Sequence, residues 1–312
     1  MKKRGLVKAS DVPLLQQMEM AFAPLTPQQQ KRIDAAVEIA TNAPTEITYS
    51  HAVFCQVGLP RKRREGLTFE RTSGYDSILL SAGKLWDGKQ WKQQELPYGP
   101  KPRIVLMNLT TRAVVTGDRF VDVGRSTREF MQRVGLDSQG SEYRALRKQI
   151  AALAACRIQI GMRRGDRVVN LNTQPIHRFD AWITPNENQE ALWPGIVELS
   201  QEFFDSVREF AVPLDERALA ALRGSALALD TYLWLAHRLW RIRASEAYVP
   251  WQSLKAQFGQ EYRAMRSFRQ EFRATLEVVR GHYPGARVEP RQEGLILRPS
   301  PPPVPKVSML VP

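Results

Sequence analysis

The chain has 312 residues, of which 43% are hydrophobic, enough for two domains with cores of their own. Its 45 Lys and Arg against 32 Asp and Glu leave a net charge of +13, which points to a polyanionic partner, nucleic acid before an acidic membrane surface. No apolar run reaches transmembrane length, since the nearest, 226–236, is short and broken by Asp230; no apolar signal core follows the basic start MKKRGLVKASDV; and Cys55 and Cys156, far apart among apolar neighbours, read as reduced, buried thiols of a cytoplasmic bacterial protein.

Residues 1 to about 25 are mixed in character and read as loosely ordered. Thr26-Pro27 opens a helix running to about Ala40, with Ile33, Val37 and Ala40 inward, and Pro44 stops it. After a β-branched stretch, 45–57, comes the basic run Arg61-Lys62-Arg63-Arg64, which reads equally as a grip on phosphate or as a solvated loop. Strands are expected over 68–71 and 77–80 with a turn at 73–76, and Asp87-Gly88 marks a hairpin between Trp86 and Trp91. Residues 1–95 are taken together as an N-terminal extension containing β-structure.

A new unit, 96–192, begins at Leu96. Periodicity predicts a helix over 103–114 and a short strand at 120–123, and the capping box Ser126-Thr127-Arg128-Glu129 opens a helix ending near Gly135. A third helix covers 141–155. It presents Tyr143, Leu146, Ile150 and Leu153 on one face and Arg144, Arg147 and Lys148 on the next. Strand-like runs at 157–163 and 167–172 turn at Arg164-Gly165-Asp166, and extended chain continues to Trp182. A second unit, 193–299, opens with a strand over 193–199 and a helix from Ser200 to Phe210. Pro213-Leu214-Asp215-Glu216 caps a further helix, and a long helical run covers 225–242. Then come a strand at 248–250, a helix over 251–258 broken by Gly259, and a helix within 262–283. A hairpin follows, pairing 287–289 with 295–297. The tail from Pro299, with 300–312 set apart as Pro-rich, reads as disordered or extended.

The order helix, short strand, helix, helix, hairpin occurs in both units. It is the order of a winged helix, so the expected fold is α+β, two tandem winged-helix domains with an N-terminal extension, the second domain being the main DNA reader. In the second unit Met265, Phe268, Phe272, Leu276 and Val279 form an apolar stripe, and Arg263, Arg266, Arg269, Gln270 and Arg273 share an arc of about 120° beside it. Arg and Gln are the side chains that grip phosphates and read base edges. The plain alternative for one such helix is a solvated face. A basic helix in the same slot of both units weighs against it.

Catalytic patterns are missing. There is no G-x-x-x-x-G-K-[ST], and His51, His177, His237 and His282 stand at no metal-ligand spacing. His237 with Arg241 misses a recombinase spacing by one residue and reads as a helix-face residue, and Trp193, Trp234, Trp240 and Trp251 read as core. No enzyme activity, cofactor or metal is expected.

The segments LPYGPKPRIVL (96–106), NTQPIHRFDAW (172–182), LWPGIVELS (192–200), AVPLDERALAALRGSALALDTYLWLAHRL (211–239) and VPWQSLKAQFG (249–259) resemble the plasmid RepA replication initiators, over about 43–304. The resemblance implies tandem winged helices that bind repeated origin DNA (iterons), help open adjacent A+T-rich DNA and recruit host DnaA and the replicative helicase. It also implies monomer and homodimer forms and repression of the protein's own gene, with plasmid copy control. A winged-helix transcription repressor without a replication role is the alternative. A nickase or primase is the distant third.

Overall fold

The computed structural model describes residues 26–137, 139–179 and 195–305. The readings of residues 1–25, of extended chain reaching Trp182 and of a strand opening at Trp193 lie outside them. Helix and sheet are mixed throughout.

Helix α1 (Pro27–Thr41) packs on a later helix, α7 (Glu216–Leu222). The expectation that Ile33, Val37 and Ala40 face inward is corrected: Ile33 and Val37 are 44% and 57% exposed, Ala40 is exposed too, and Ile39 is the residue packed on the core. One neighbouring helix covers only a narrow stripe of α1, and that stripe runs through Ala35, Ala36 and Ile39, which are half-buried.

Strand β1 (Ile47–His51) and the short helix α2 (Ala52–Gln56) follow, then the hairpin β2 (Thr68–Ser73) and β3 (Asp76–Ser81), paired through Ser73 and Asp76 as the turn residues foretell. A smaller hairpin, β4 (Lys84–Trp86) and β5 (Trp91–Gln93), sets Trp86 opposite Trp91.

The first unit comprises α3 (Pro100–Thr116), β6 (Phe120–Asp122), α4 (Thr127–Arg133), α5 (Gly140–Ala155), β7 (Arg157–Arg164) and β8 (Arg167–Thr173). Helix α3 is longer than its periodicity implies, because Pro100 and Pro102 sit in the first turn, where no intrahelical N–H is needed. The capping box at α4 is half formed as expected. Ser126 Oγ accepts from Glu129 N at 3.1 Å, while Glu129 Oε2 accepts from Arg125 N, one residue earlier than the motif requires. Two further strands, β9 (Ile176–Phe179) and β10 (Ile196–Leu199), follow.

Helix α6 (Gln201–Phe210), capped by Ser200, leads into β11 (Ala211–Asp215), which pairs with β1, and then into α7, capped by Asp215. The second unit comprises α8 (Ala226–Arg238), β12 (Ala247–Pro250), α9 (Trp251–Phe258), α10 (Met265–Gly281), β13 (Val288–Pro290) and β14 (Gly294–Leu297). The helical run expected to reach 242 ends as an α-helix at Arg238 and closes in a 3₁₀ turn, Leu239–Arg241. That turn swings Trp240 out. It is 42% exposed, with Arg241 5.0 Å from its ring centre, so its assignment to the core is corrected, whereas Trp234 and Trp251 are buried. His237 lies on a face of α8 that is buried, bonded to Gln56 Nε2 at 3.0 Å and to Arg241. The chain after Pro299 packs as far as the described residues go. Val304 is fully buried and Tyr283 Oη donates to Pro301 O at 2.7 Å, so a disordered tail is corrected for 299–305.

Two cores result. One gathers α2, α3, α4, α5, β7 and α6 around Phe130, Leu146, Ile150 and Phe203; the other gathers α7 to α10 and β14 around Trp234, Trp251, Phe268 and Phe272. Helix α3 serves both, giving Val105, Leu106 and Leu109 to the first and Ile104 and Met107 to the second. The residues ahead of 96 are woven into both as well. Strand β3 pairs with β7 through Ile78–Ile160 and Leu80–Ile158, and Cys55 enters the second core.

Candidate nucleic-acid interface

The apolar stripe of α10 forms as the spacing predicts, with Phe268, Phe272, Leu276 and Val279 buried and Met265 half-buried. The helix starts at Met265, so Arg263 lies just ahead of it rather than on it. Arg263, Arg266 and Gln270 are exposed on this edge of the molecule.

Two of the arginines stand on a platform that sequence reasoning assigned only to the core. The guanidinium carbons of Arg269 and Arg273 lie 6.0 and 5.2 Å from the centre of the Trp251 ring. Trp251 Nε1 donates to the carbonyls of Arg291 and Gln292 at 3.2 and 3.1 Å, and Arg273 Nη2 donates to Arg291 O at 2.9 Å. One indole thereby joins α9, α10 and the turn between β13 and β14. Phe268 and Phe272 meet it edge to face, 6.5 and 6.0 Å away. Arg269 Nη2 stands 3.9 Å from Glu293, a long and weak ion pair.

The corresponding face of α5 is less free. Arg144 is exposed, Arg147 lies over Tyr143 at 5.8 Å, and Lys148 pairs with Glu95 at 3.1 Å. The same Glu95 oxygen also pairs with Arg63 at 3.2 Å. The basic run and α5 are thus brought together by an acid that precedes the unit by sequence.

The run itself divides. Lys62, Arg63 and Arg64 are exposed. Arg61 is not a phosphate grip or a solvated loop residue: its side chain is 7% exposed and pairs with Glu261 at 2.5 Å, lying 5.5 Å from the Tyr262 ring. Leu59 and Pro60 are buried on the apolar body, so Arg61 is drawn in with them toward Glu261. Arg71 reaches Glu261 from β2 at 3.6 Å. Burial pulls the Arg71 guanidinium down to about 10. Burial pushes the Glu261 carboxyl up, yet the hydrogen bond from Arg61 and the two positive charges hold it below the ordinary glutamate value.

Beneath this lies a second buried pair. Arg103 Nε and Nη2 donate to the two oxygens of Asp230 at 2.6 and 2.7 Å, and its remaining protons go to the carbonyls of Leu59, Pro60 and Gly99. Gly58 allows the approach, since a Cβ there would stand 2.5 Å from Asp230 Oδ2. Helix α3 of the first unit, α8 of the second and the 58–61 segment are locked by one carboxylate.

Two acids therefore tie the basic run into both units: Glu95 holds Arg63 beside Lys148 of α5, and Glu261, just ahead of α10, holds Arg61. The signals missed in the sequence were single acids, Glu95 and Glu261, and a Trp at a helix start. Neither acid belongs to a motif, and Trp251, within VPWQSLKAQFG, reads only as core. Among the described residues no group of three His, Cys, Asp or Glu could hold a metal ion, and no helix is long and apolar enough to cross a membrane.

The chain belongs to the family described as "Plasmid encoded RepA protein", whose model matches residues 96–252, half of its length. Among solved structures it is similar to domains 2 and 3 of RctB, with 12% identity and a TM-score of 0.51, covering 80% of this chain and 98% of that one. A second crystal structure of RctB domains 2-3 matches at 12% identity and a TM-score of 0.48 over 79% of this chain and 96% of that one. At that identity the likeness concerns the fold. No curated protein sequence matches the chain.

Proposed function

We propose that this protein is a plasmid replication initiator that binds repeated origin DNA through two tandem winged-helix units, without catalytic activity. Family membership supports initiation. The observation that carries the DNA reading is the basic edge, in which Arg63 pairs with the acid beside α5 and Arg61 with Glu261, just ahead of α10, leaving Lys62, Arg63 and Arg64 exposed. Helix α10 is the base reader, because Arg266 and Gln270 are exposed and the Trp251 platform fixes Arg269 and Arg273 beside them. Helix α5 and residues 62–64 grip backbone. Origin opening, recruitment of host DnaA and helicase, a monomer–homodimer change and repression of its own gene belong to the same reading by family resemblance.

Two helices and two hairpins neutralise about six to ten phosphates, so affinity falls by about 10³–10⁵ between 50 and 200 mM salt. The test is a titration on the origin repeats of its plasmid against scrambled duplex at two salt concentrations. A large ratio between them with a steep salt slope supports the reading. Equal, weak, purely salt-dependent binding to both removes base reading from α10.

A further inference from the structure

Two of the largest apolar side chains in the molecule are left largely in solvent. Trp86 and Trp91 are 49% and 64% exposed, at directly opposed positions of the β4–β5 hairpin, their ring centres 5.7 Å apart. Exposed tryptophan pairs are costly in solubility, so they mark contact surfaces. The hairpin also has its own supports. Asp87 Oδ1 accepts from Lys89 N and Gln90 N at 2.8 and 2.7 Å, and its other oxygen pairs with Lys92 at 2.7 Å. At the base, Gln94 N donates to Gly83 O at 3.0 Å, and a Cβ on Gly83 would stand 2.2 Å from Ala155 O, so the hairpin is seated on the end of α5. The rings are presented by a frame that stands without them.

The surroundings select the partner. Strand alternation puts Lys84 on the same face as the two rings, and Lys89 projects from the turn; both are exposed, with no ion-pair partner among the described residues. Two residues beyond β5 is Glu95, which holds Arg63 and Lys148. The hairpin therefore continues the basic edge, and a polyanion on that edge reaches it. Within duplex DNA the base faces are covered by stacking. Two flat rings with flanking ammonium groups match bases whose faces are open.

We propose that the Trp86–Trp91 hairpin is a stacking site for single-stranded DNA, continuous with the duplex-binding edge. This extends the DNA reading above but names a different ligand state and different residues.

The experiment uses the full chain, fluorescein-labelled (dT)15 and the origin-repeat duplex, with anisotropy at one fixed salt concentration. W86A/W91A is expected to lose about 5- to 150-fold in (dT)15 affinity, the range for removing one stacked base, and to keep duplex affinity within twofold. W86F/W91F, which retains a π face, is expected to keep most of the (dT)15 affinity. W86T/W91T keeps strand preference without a ring and is expected to behave as the alanine pair, which covers the case in which alanine loosens the hairpin. Unchanged (dT)15 binding in the alanine and threonine pairs overturns the proposal and turns the surface over to a protein partner. An equal fall on (dT)15 and duplex also overturns it, since stacking is then not what was lost. If the wild-type protein shows no preference for origin duplex, the function proposed above fails while the (dT)15 comparison still decides this site.

Discussion

In the second unit the short strand β12 lies against β14 of its own hairpin, pairing Val249 with Leu295, and β13 completes a three-stranded sheet. The equivalent strand of the first unit, β6, pairs instead with β10, and the hairpin β7–β8 pairs with β3 from ahead of the unit. The same order of elements thus closes in two ways. In the second, the hairpin turn is tied by Trp251 to α10, so this helix and its flank form one rigid piece. In the first, the hairpin belongs to a four-stranded sheet and the cations of α5 are shared with Glu95 and Tyr143. Base reading requires fixed side chains aimed from a fixed helix, whereas phosphate gripping tolerates looser ones. The proposed assignment of base reading to the second unit and phosphate gripping to the first rests on this difference.

The largest expected effect removes the link between the two. Asp230→Ala leaves Arg103 charged in a site where the two side chains are 5% and 3% exposed, and should cost about 3–5 kcal/mol in chemical denaturation. A cost under about 1 kcal/mol would show that the units do not depend on this pair. Next, Trp251→Ala should cost about 3 kcal/mol from the lost core volume and edge-to-face contacts, and free Arg269 and Arg273. Loss of discrimination between origin and scrambled duplex at a temperature where the variant remains folded is the expected readout.

The central comparison is sharpest in binding. Arg266→Ala, if it reads a guanine, should cost about 1–3 kcal/mol and relax preference at one base position. Lys148→Ala should weaken binding to every sequence by well under 1 kcal/mol and leave preference intact, since an exposed lysine already paired with Glu95 gives up little. Reversed results would exchange the roles of the units. The smallest effect is a readout rather than a loss. Cys55 lies in the second core and Cys156 in the first, and burial pushes both thiols up to about 12. At pH 8 neither should react with a thiol reagent in the native protein. In Asp230→Ala, Cys55 should react before Cys156, and simultaneous reaction would mean that the two cores open as one.

Much of the local structure was legible. The stripe of α10, the caps at Ser126, Ser200 and Asp215, and the turns at 73–76 and 87–88 follow from side-chain spacing and turn chemistry, which act within a few residues. Where one neighbour or one turn decided the outcome, the reading failed. Ile33 and Val37 lacked a second helix to cover them, and Trp240 was rotated out by a 3₁₀ turn.

The sequence by itself determined the charge, the helices with their apolar stripes, the repeated order of elements and the family resemblance, because each is written in neighbouring residues. Only the tertiary structure decided which cations are available. Arg61 is buried against Glu261, two hundred residues away, while Lys62, Arg63 and Arg64 beside it stay in water. A buried charge must find its partner wherever the fold places one, and no local pattern records that distance.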